Sequence, residues 1–150
     1  MNLDIVRAND EDREWIADLM VRSEPWTILG LQRQQALLSL AHPEYAVYIA
    51  KSGGKRAGFL VAHPRGLASS PYIKTVAMAP EFRDMGYGAE LMKFAENLFR
   101  SEARNLFLCV SSFNIRAQAF YARLGYLPVG VLKDYLIDGE AEIILHKRIG

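Results

Sequence analysis

Cysteine is almost absent from this chain of 150 residues, because Cys109 stands alone. A single thiol cannot form an internal disulfide, which excludes a disulfide framework. Long apolar runs are also missing, since no stretch approaches the roughly 20 residues that span a bilayer. Residues 1–12 lack the apolar centre of a signal peptide. We therefore expect a cytoplasmic protein with no membrane partner.

Charge of one sign is lacking too. The 18 basic and 17 acidic residues leave a formal charge of +1, and the basic residues form no run. This balance gives no reason to expect a nucleic-acid partner. The three histidines, His42, His63 and His146, have no metal-ligand spacing, and we expect no metal. Hydrophobic residues make up 51% of the chain, which suffices for the core of one domain over residues 1–150.

Hydrophobic periodicity and turn residues divide the chain into strands and helices. A helix should begin at Asn9 or Asp10, and two hairpins should turn at 52–54 and at 138–139. Residues 65–70 should form a loop of small residues. Strands are predicted at 3–7, 45–51, 57–63, 72–78, 105–110, 127–137 and 141–147, and further helices at 32–40, from 86 onward and at 114–124. Antiparallel pairs followed by alternating strands and helices predict an α/β (α+β) fold, whose mixed sheet has helices on both faces.

The segment from Val76 to Ala89 carries the chemistry. It reads VAMAPEFRDMGYGA: a strand ends, a proline turns the chain, and glycines open an amphipathic helix. Unpaired N–H groups and the dipole at a helix start attract anions, and glycines let a ligand approach the backbone. No Gly-Lys-Ser/Thr follows, as a P-loop requires, and Leu91 replaces the last glycine of a dinucleotide fingerprint. Two glycines alone would indicate a simple turn, but the whole arrangement favours a phosphate cradle.

A second motif, from Asn114 to Tyr126, reads NIRAQAFYARLGY. Together with Arg-x-x-Gly-x-Gly at 83–88, it resembles the GNAT acetyltransferase superfamily, over most of the chain from about Asn9. The resemblance implies a mixed, mostly antiparallel, twisted sheet of about seven strands with four helices on both faces. It also implies acetyl-CoA as cosubstrate. The residues that it assigns to acetyl-CoA are Val76, Ala77, Met78, Arg83, Asp84, Met85, Gly86, Tyr87, Gly88, Ala89, Asn114 and Tyr121.

Roles in catalysis follow from the same resemblance. Tyr121 would protonate the departing thiolate, which the ordinary pKa values of a phenol and a thiol allow. The alternative is a core tyrosine whose hydroxyl bonds a backbone carbonyl. Asn114 would cap the helix, touch the cofactor, or do both. The backbone N–H of Met78 would steady the oxyanion.

The chain departs from the family at the base that deprotonates the amine. Relatives carry a glutamate where this chain has Tyr72 or Cys109. An ordered water, Tyr72 or Glu24 remains as the base. Cys109, in an apolar strand, is expected to be an inert thiol.

These observations predict an N-acyltransferase that moves the acetyl group of acetyl-CoA to a primary amine in a ternary complex. The acceptor would be a small-molecule amine, a protein N-terminus or a lysine, and the resemblance leaves room for a homodimer. The alternative is a non-catalytic acyl-CoA-binding regulatory domain that kept the cradle and lost the base.

Overall fold

The computed structural model describes residues 2–150, which form a seven-stranded sheet and four α-helices. The strands are β1 (Asp4–Arg7), β2 (Ala46–Ser52), β3 (Lys55–Leu67), β4 (Ser70–Met78), β5 (Asn105–Ser111), β6 (Leu127–Lys133) and β7 (Ala141–Arg148). The helices are α1 (Asp10–Val21), α2 (Arg33–Leu40), α3 (Tyr87–Phe99) and α4 (Ile115–Arg123), with a 3-10 turn at Pro80–Phe82. No helix among the described residues is both long and apolar enough to cross a membrane.

The strands lie in the order β1-β2-β3-β4-β5-β7-β6. Only β4 and β5 run parallel, and every other neighbouring pair is antiparallel. Parallel neighbours need a crossover, and α3 provides it. The predicted mixed, mostly antiparallel sheet with four helices is confirmed.

Each face of the sheet carries a hydrophobic core, and the two cores lie over different strands. The first core joins α3 to inward residues of β3, β4, β5 and β7, and α4 packs against it through Phe120 and Tyr121. The second core places α1 and α2 on β2 and β3, around Val47, Ile49 and Phe59. Alternate residues of β2, such as Ile49 and Ala50, belong to opposite cores, as a strand period of two requires.

The sheet splits between its two parallel strands. Their ladder contains only Tyr72 beside Phe107 and Ile73 beside Leu108. Immediately after it, the β3–β4 register shifts, because Lys74 is an extra residue between the pairs Ala62–Ile73 and Val61–Thr75. A bulge bends its strand, so β4 leaves β5 at this point. The end of β4, which carries the predicted cofactor residues, therefore has no neighbour on its β5 side among the described residues.

The helix ends follow the sequence signals closely. Asn9 and Asp12 form a reciprocal capping box at the start of α1, with N–H to oxygen distances of 2.8 and 3.0 Å. Asn114 caps α4, because its side-chain oxygen accepts the N–H of Ala117 at 3.2 Å. Gly125 has φ +94°, the left-handed stop expected after this helix.

Two predicted segments differ in the structure. Residues 65–70, expected to form a loop, instead continue the hairpin of β3 and β4. β3 runs to Leu67, which pairs with Ser70, and Ala68 and Ser69 form the tight turn between them. The strand expected at 127–137 ends at Lys133 instead. Asp134 adopts φ +52° there, and its carboxylate accepts the N–H of Gly139 at 2.6 Å, which closes a loop over 134–140. Local side-chain bonding of this kind competes with a strand ladder.

One buried carboxylate joins three elements. Glu96 of α3 is 6% exposed, and it accepts hydrogen bonds from the Tyr126 hydroxyl at 2.9 Å and from the Lys147 ammonium at 3.0 Å. A buried charge is tolerated when it is paired in this way. The contact fixes α3 against β7 and against the chain that leaves α4.

Candidate active site

The start of α3 is a set of unpaired donors. Within the described residues, the backbone N–H groups from Asp84 to Ala89 have no hydrogen-bond acceptor, and the first intrahelical bond runs from Glu90 to the Gly86 carbonyl. α1 and α4 have side-chain caps, whereas α3 has none. Gly86 reaches the required backbone turn with φ +82°. Such free donors at the positive end of a helix bind an anion such as a pyrophosphate.

Two charged side chains of this cradle, those of Arg83 and Asp84, bind residues of adjacent elements. The Arg83 Nε donates to the Met78 carbonyl at 3.2 Å, which ties the cradle to the end of β4. Asp84, at φ +61°, pairs with Arg116 of α4 at 2.6 Å. Both partners of that pair are exposed, so it orients the loop more than it stabilises the fold.

The side chains of the cradle residues differ in their exposure to solvent. Met85 is exposed, whereas the Tyr87 side chain is buried and its hydroxyl lies 2.9 Å from the Ser52 hydroxyl. Tyr87 can therefore offer an anion only its backbone N–H. Gly88 has a further function that the sequence did not indicate: a Cβ atom there would lie 3.2 Å from Phe120. The absence of a side chain at Gly88 lets α3 and α4 approach each other closely.

Along the free edge of β4, every second residue directs its backbone N–H and C=O groups into the split. The Ala79 N–H donates to the Ala57 carbonyl at 2.7 Å, and Met78 lies opposite Gly58. Antiparallel strands alternate between bonded and non-bonded pairs, so Met78 and Val76 direct their N–H and C=O groups away from β3 and into the split. Ala77, in a bonded position opposite Phe59, directs its own backbone groups toward β3. The predicted backbone contacts thus divide into two residues at the cleft and one that belongs to the β3 ladder.

Gly58 is a residue that sequence reasoning missed. A Cβ atom on Gly58 would collide with the Met78 side chain and with the Ala77 carbonyl. A glycine inside a strand often marks such a close approach. It therefore helps to seat the end of β4 beside the cradle.

Tyr121 lies on α4, one residue after the Phe120 that contacts the cradle helix. Its ring packs edge-on against Phe120 and Tyr126, with centroids 5.1 and 6.0 Å away. Among the described residues, no group hydrogen-bonds its hydroxyl, so the backbone-bonded core tyrosine considered above is not what the structure contains. Burial raises the pKa of Tyr121. The hydroxyl therefore keeps its proton at neutral pH, as a proton donor must.

The candidate bases lie in different surroundings. Burial, followed by contact with the Cys109 thiol, raises the pKa of Tyr72 well above its usual range. A raised phenol pKa favours the protonated form, which weighs against Tyr72 as the base. Burial also raises the pKa of the Cys109 thiol, in line with an inert cysteine. Glu24 is exposed in the segment after α1.

A cavity of about 410 Å³ borders the 3-10 turn but holds none of the predicted cofactor residues. It is lined by Trp15, Arg22, Lys51, Gly54, Lys55, Arg56, Glu81 and Phe82. Arg56 in its wall is bound to the buried Asp12 at 2.8 Å, so this cation already has a structural partner. The open split beside the cradle fits the predicted chemistry better. No group of three or more potential metal ligands occurs within residues 2–150.

A sheet split between two parallel strands, with an uncapped helix start at the open end, offers a free strand edge and free N–H donors, the features that an extended phosphate-bearing ligand requires. Residues 8–126 match the sequence profile of the acetyltransferase (GNAT) family. The chain belongs to this family.

Individual relatives agree with the profile. An uncharacterized N-acetyltransferase of Methanocaldococcus jannaschii is 30% identical over 103 residues, 67% of this chain and 65% of that protein. The match therefore spans slightly less than two thirds of this relative. A Bacillus subtilis protein with a provisional name as a ribosomal protein bS18-alanine N-acetyltransferase is 28% identical over 143 residues, 93% of this chain and 90% of its own.

A solved structure shares the fold. An aminoglycoside 6'-N-acetyltransferase complexed with coenzyme A superimposes with a TM-score of 0.79, at 18% identity, over 98% of this chain and 97% of the other. At this identity the likeness concerns the fold alone.

Proposed function

We propose that this protein transfers the acetyl group of acetyl-CoA to a primary amine, which attacks the thioester directly in a ternary complex. The observation that carries the proposal is the run of unpaired N–H groups from Asp84 to Ala89 at the open end of the split. These donors would hold the pyrophosphate, and Arg83 would add charge beside them. The family and a fold neighbour solved with coenzyme A support this choice of cosubstrate.

The split would receive the rest of the cofactor. Val76 directs its N–H and C=O groups into the split, and Met78 directs its N–H there, while the Met78 carbonyl is already bound by Arg83. The amide-bearing pantetheine arm can add to this edge like a short strand. The Met78 N–H, at the end of this edge, would donate to the oxyanion of the tetrahedral intermediate. Asn114, whose side-chain oxygen is already used as a cap, would contribute its free amide group.

Tyr121 would act as the general acid. When the amine nitrogen forms its bond to the carbonyl carbon, the C–S bond breaks and the sulfur leaves as a thiolate. The Tyr121 hydroxyl keeps its proton at neutral pH and has no hydrogen-bond partner among the described residues, so its proton is available to the thiolate.

The name of one relative suggests which acceptor amine to test first. The Bacillus subtilis protein is named for N-acetylation of an alanine of a ribosomal protein, and it aligns over nearly the whole of this chain. A peptide that begins with alanine is therefore the first acceptor to test. A lysine-containing peptide, a polyamine and an aminoglycoside complete the panel.

Calorimetry with CoA and measurement of thiol release from acetyl-CoA with each amine test the proposal. We expect CoA binding and amine-dependent release of CoA. Absence of binding at millimolar CoA would refute the site. Binding without turnover on every amine would instead support the regulatory domain, which the missing carboxylates at Tyr72 and Cys109 favour.

A further inference from the structure

One face of the sheet is open beside the split. The second core, which holds α1 and α2, contains no residue of β5, β6 or β7 among the described residues. Inward residues of β5 and β7, such as Leu108 and Leu145, face the first core on the opposite side. The intervening residues of these strands therefore lie on a face that no helix core covers. We call it the open face, and its members are Tyr72, Phe107, Cys109, Ser111, Glu142, Ile144 and His146.

Strand register brings a carboxylate to this face. Glu142 of β7 lies directly opposite Ser111 of β5, and Ile144 lies opposite Cys109. Residues that face each other across two strands project to the same side. The Ser111 hydroxyl donates to the Glu142 carboxylate at 2.5 Å, which fixes the carboxylate at the end of β5. Ser111 is itself 5% exposed, so this support is buried.

Glu142 lies on the same face of the sheet as Tyr72 and Cys109, the two positions where the family resemblance places a glutamate. Burial raises the pKa values of Tyr72 and Cys109, and the negative charge of Glu142 raises both further. The other charged group that acts on Cys109 is Lys74, which has the opposite effect. Tyr135, from the loop after β6, acts on Tyr72 as well. The carboxylate absent at Tyr72 and Cys109 thus has a counterpart on the same face of the sheet, because Glu142 lies opposite Ser111, two residues beyond Cys109 on β5.

Two other titratable groups lie near Glu142, and each makes a contact of its own. His146, farther along β7, stacks on Phe107 with a centroid distance of 5.8 Å. Glu140 is directed to the Ser112 hydroxyl at 2.7 Å and is not among the groups that act on Tyr72 or Cys109. Glu140 therefore provides a neighbouring carboxylate with a different contact.

We propose that Glu142 is the general base that takes a proton from the acceptor amine, in place of the carboxylates missing at positions 72 and 109. This inference rests on the proposed acetyl transfer. An ammonium carries three protons, and the amide product keeps one. Tyr121 gives its proton to the CoA thiolate and is reprotonated by a second proton that the nitrogen loses after the attack. Glu142 takes the remaining proton before the nitrogen attacks and releases it to water, so the reaction yields amide, CoA thiol and one proton.

The test compares Glu142→Gln with Glu140→Gln, using acetyl-CoA and the alanine-starting peptide over a range of pH. Glutamine can still accept the Ser111 hydrogen bond, so only the proton acceptor is lost. We expect kcat to fall about 10²-fold or more at neutral pH in Glu142→Gln, because a general base contributes about 10²–10⁴-fold. The remaining rate should rise with pH as the free amine increases. Glu140→Gln should keep the parental profile.

Restoring the carboxylate gives a second arm. Cys109→Glu, introduced into Glu142→Gln, should recover turnover and the parental pH profile. A third arm does not need turnover: alkylation of Cys109 by iodoacetamide should shift to lower pH in Glu142→Gln, because a negative charge near the thiol is removed.

The outcomes separate the two proposals. A parent protein that turns over the peptide while Glu142→Gln keeps its rate and profile would overturn this inference and leave the proposed function standing. An equal loss in Glu140→Gln would overturn it too, since the effect would then be structural. A parent that acetylates no amine would overturn the proposed function, and the role of Glu142 as a base would fall with it.

Discussion

The Phe120 ring lies 3.2 Å from the point where a Cβ atom would stand on Gly88. This contact joins the helix that begins with the cradle to the helix that carries Tyr121. The positions of the cradle and of Tyr121 relative to each other therefore depend on this contact, in which the Phe120 ring packs where Gly88 has no side chain. Gly88 serves the packing of α3 on α4, whatever it also does for an anion.

The first prediction concerns this contact. Gly88→Val should push α4 away from α3 and lower both the melting temperature and the affinity for CoA. Combining it with Phe120→Ala should relieve the collision, so the double variant should lose less than the two single losses added together. A double-mutant cycle from urea unfolding, with and without CoA, measures the coupling. Additivity within about 0.5 kcal/mol would mean that the residues do not interact in this way.

A second prediction isolates backbone strain at the cradle. Gly86→Ala forces a side chain into φ +82°, and Gly54→Ala does the same at φ +81° in the turn between β2 and β3. A left-handed alanine costs about 1–2 kcal/mol, so both variants should lose similar stability. Only Gly86→Ala should also lose CoA affinity, as measured by calorimetry. Equal affinities in the two variants would place the anion site elsewhere.

Tyr121→Phe provides a third test. The ring contacts with Phe120 and Tyr126 should persist, because only the hydroxyl is removed. We expect unchanged CoA affinity and a lower kcat, by about 10²-fold or less, since a thiolate leaves readily even without an acid. A CoA titration beside single-turnover kinetics distinguishes chemistry from binding. Parental turnover under conditions where chemistry limits the rate would assign Tyr121 to packing alone.

The fourth prediction is a dependence of stability on pH. Burial would raise the pKa of Asp12, but hydrogen bonds from the Asn9 N–H and from Arg56 outweigh burial, and the pKa is lowered. A carboxyl whose pKa is lower in the folded state stabilises the fold above its unfolded pKa of about 3.9. That contribution is lost as the pH falls through the folded pKa. Stability should therefore decline below about pH 4.

Asp12→Asn measures this contribution. The variant should be about 1–3 kcal/mol less stable than the parent at pH 7, because Arg56 loses its partner, and the difference should shrink as the pH falls toward 2. Urea unfolding at the two pH values gives the difference. Asp10→Asn is the control, since Asp10 lies exposed in the same helical turn and pairs with Arg13 at 3.4 Å. A similar pH dependence in both variants would contradict the role of the capping box.

Much of the fold was evident from local chemistry. The cap at Asn9, the stop at Gly125 and the uncapped glycine start of α3 are each decided within a few residues, so the sequence predicts them directly. The two wrong predictions, a loop at 65–70 and a strand as far as 137, also followed local sequence signals. In the structure, pairing with residues elsewhere in the chain decided both segments. Ser70 continued the ladder with Leu67, and Asp134 ended a strand by binding the N–H of Gly139.

The amino-acid sequence by itself determined the family and the uncapped glycine start of α3, and it predicts the cradle at 83–88 and the acid Tyr121, because motifs at fixed spacing encode local backbone geometry. Tertiary structure alone decided which backbone groups of β4 face the split, since that depends on pairing with β3. It also decided that Gly88 meets Phe120 and that Glu142 comes opposite Ser111. These pairs lie about 30 residues apart in the chain, and strand register and helix packing, which no local motif specifies, bring them together.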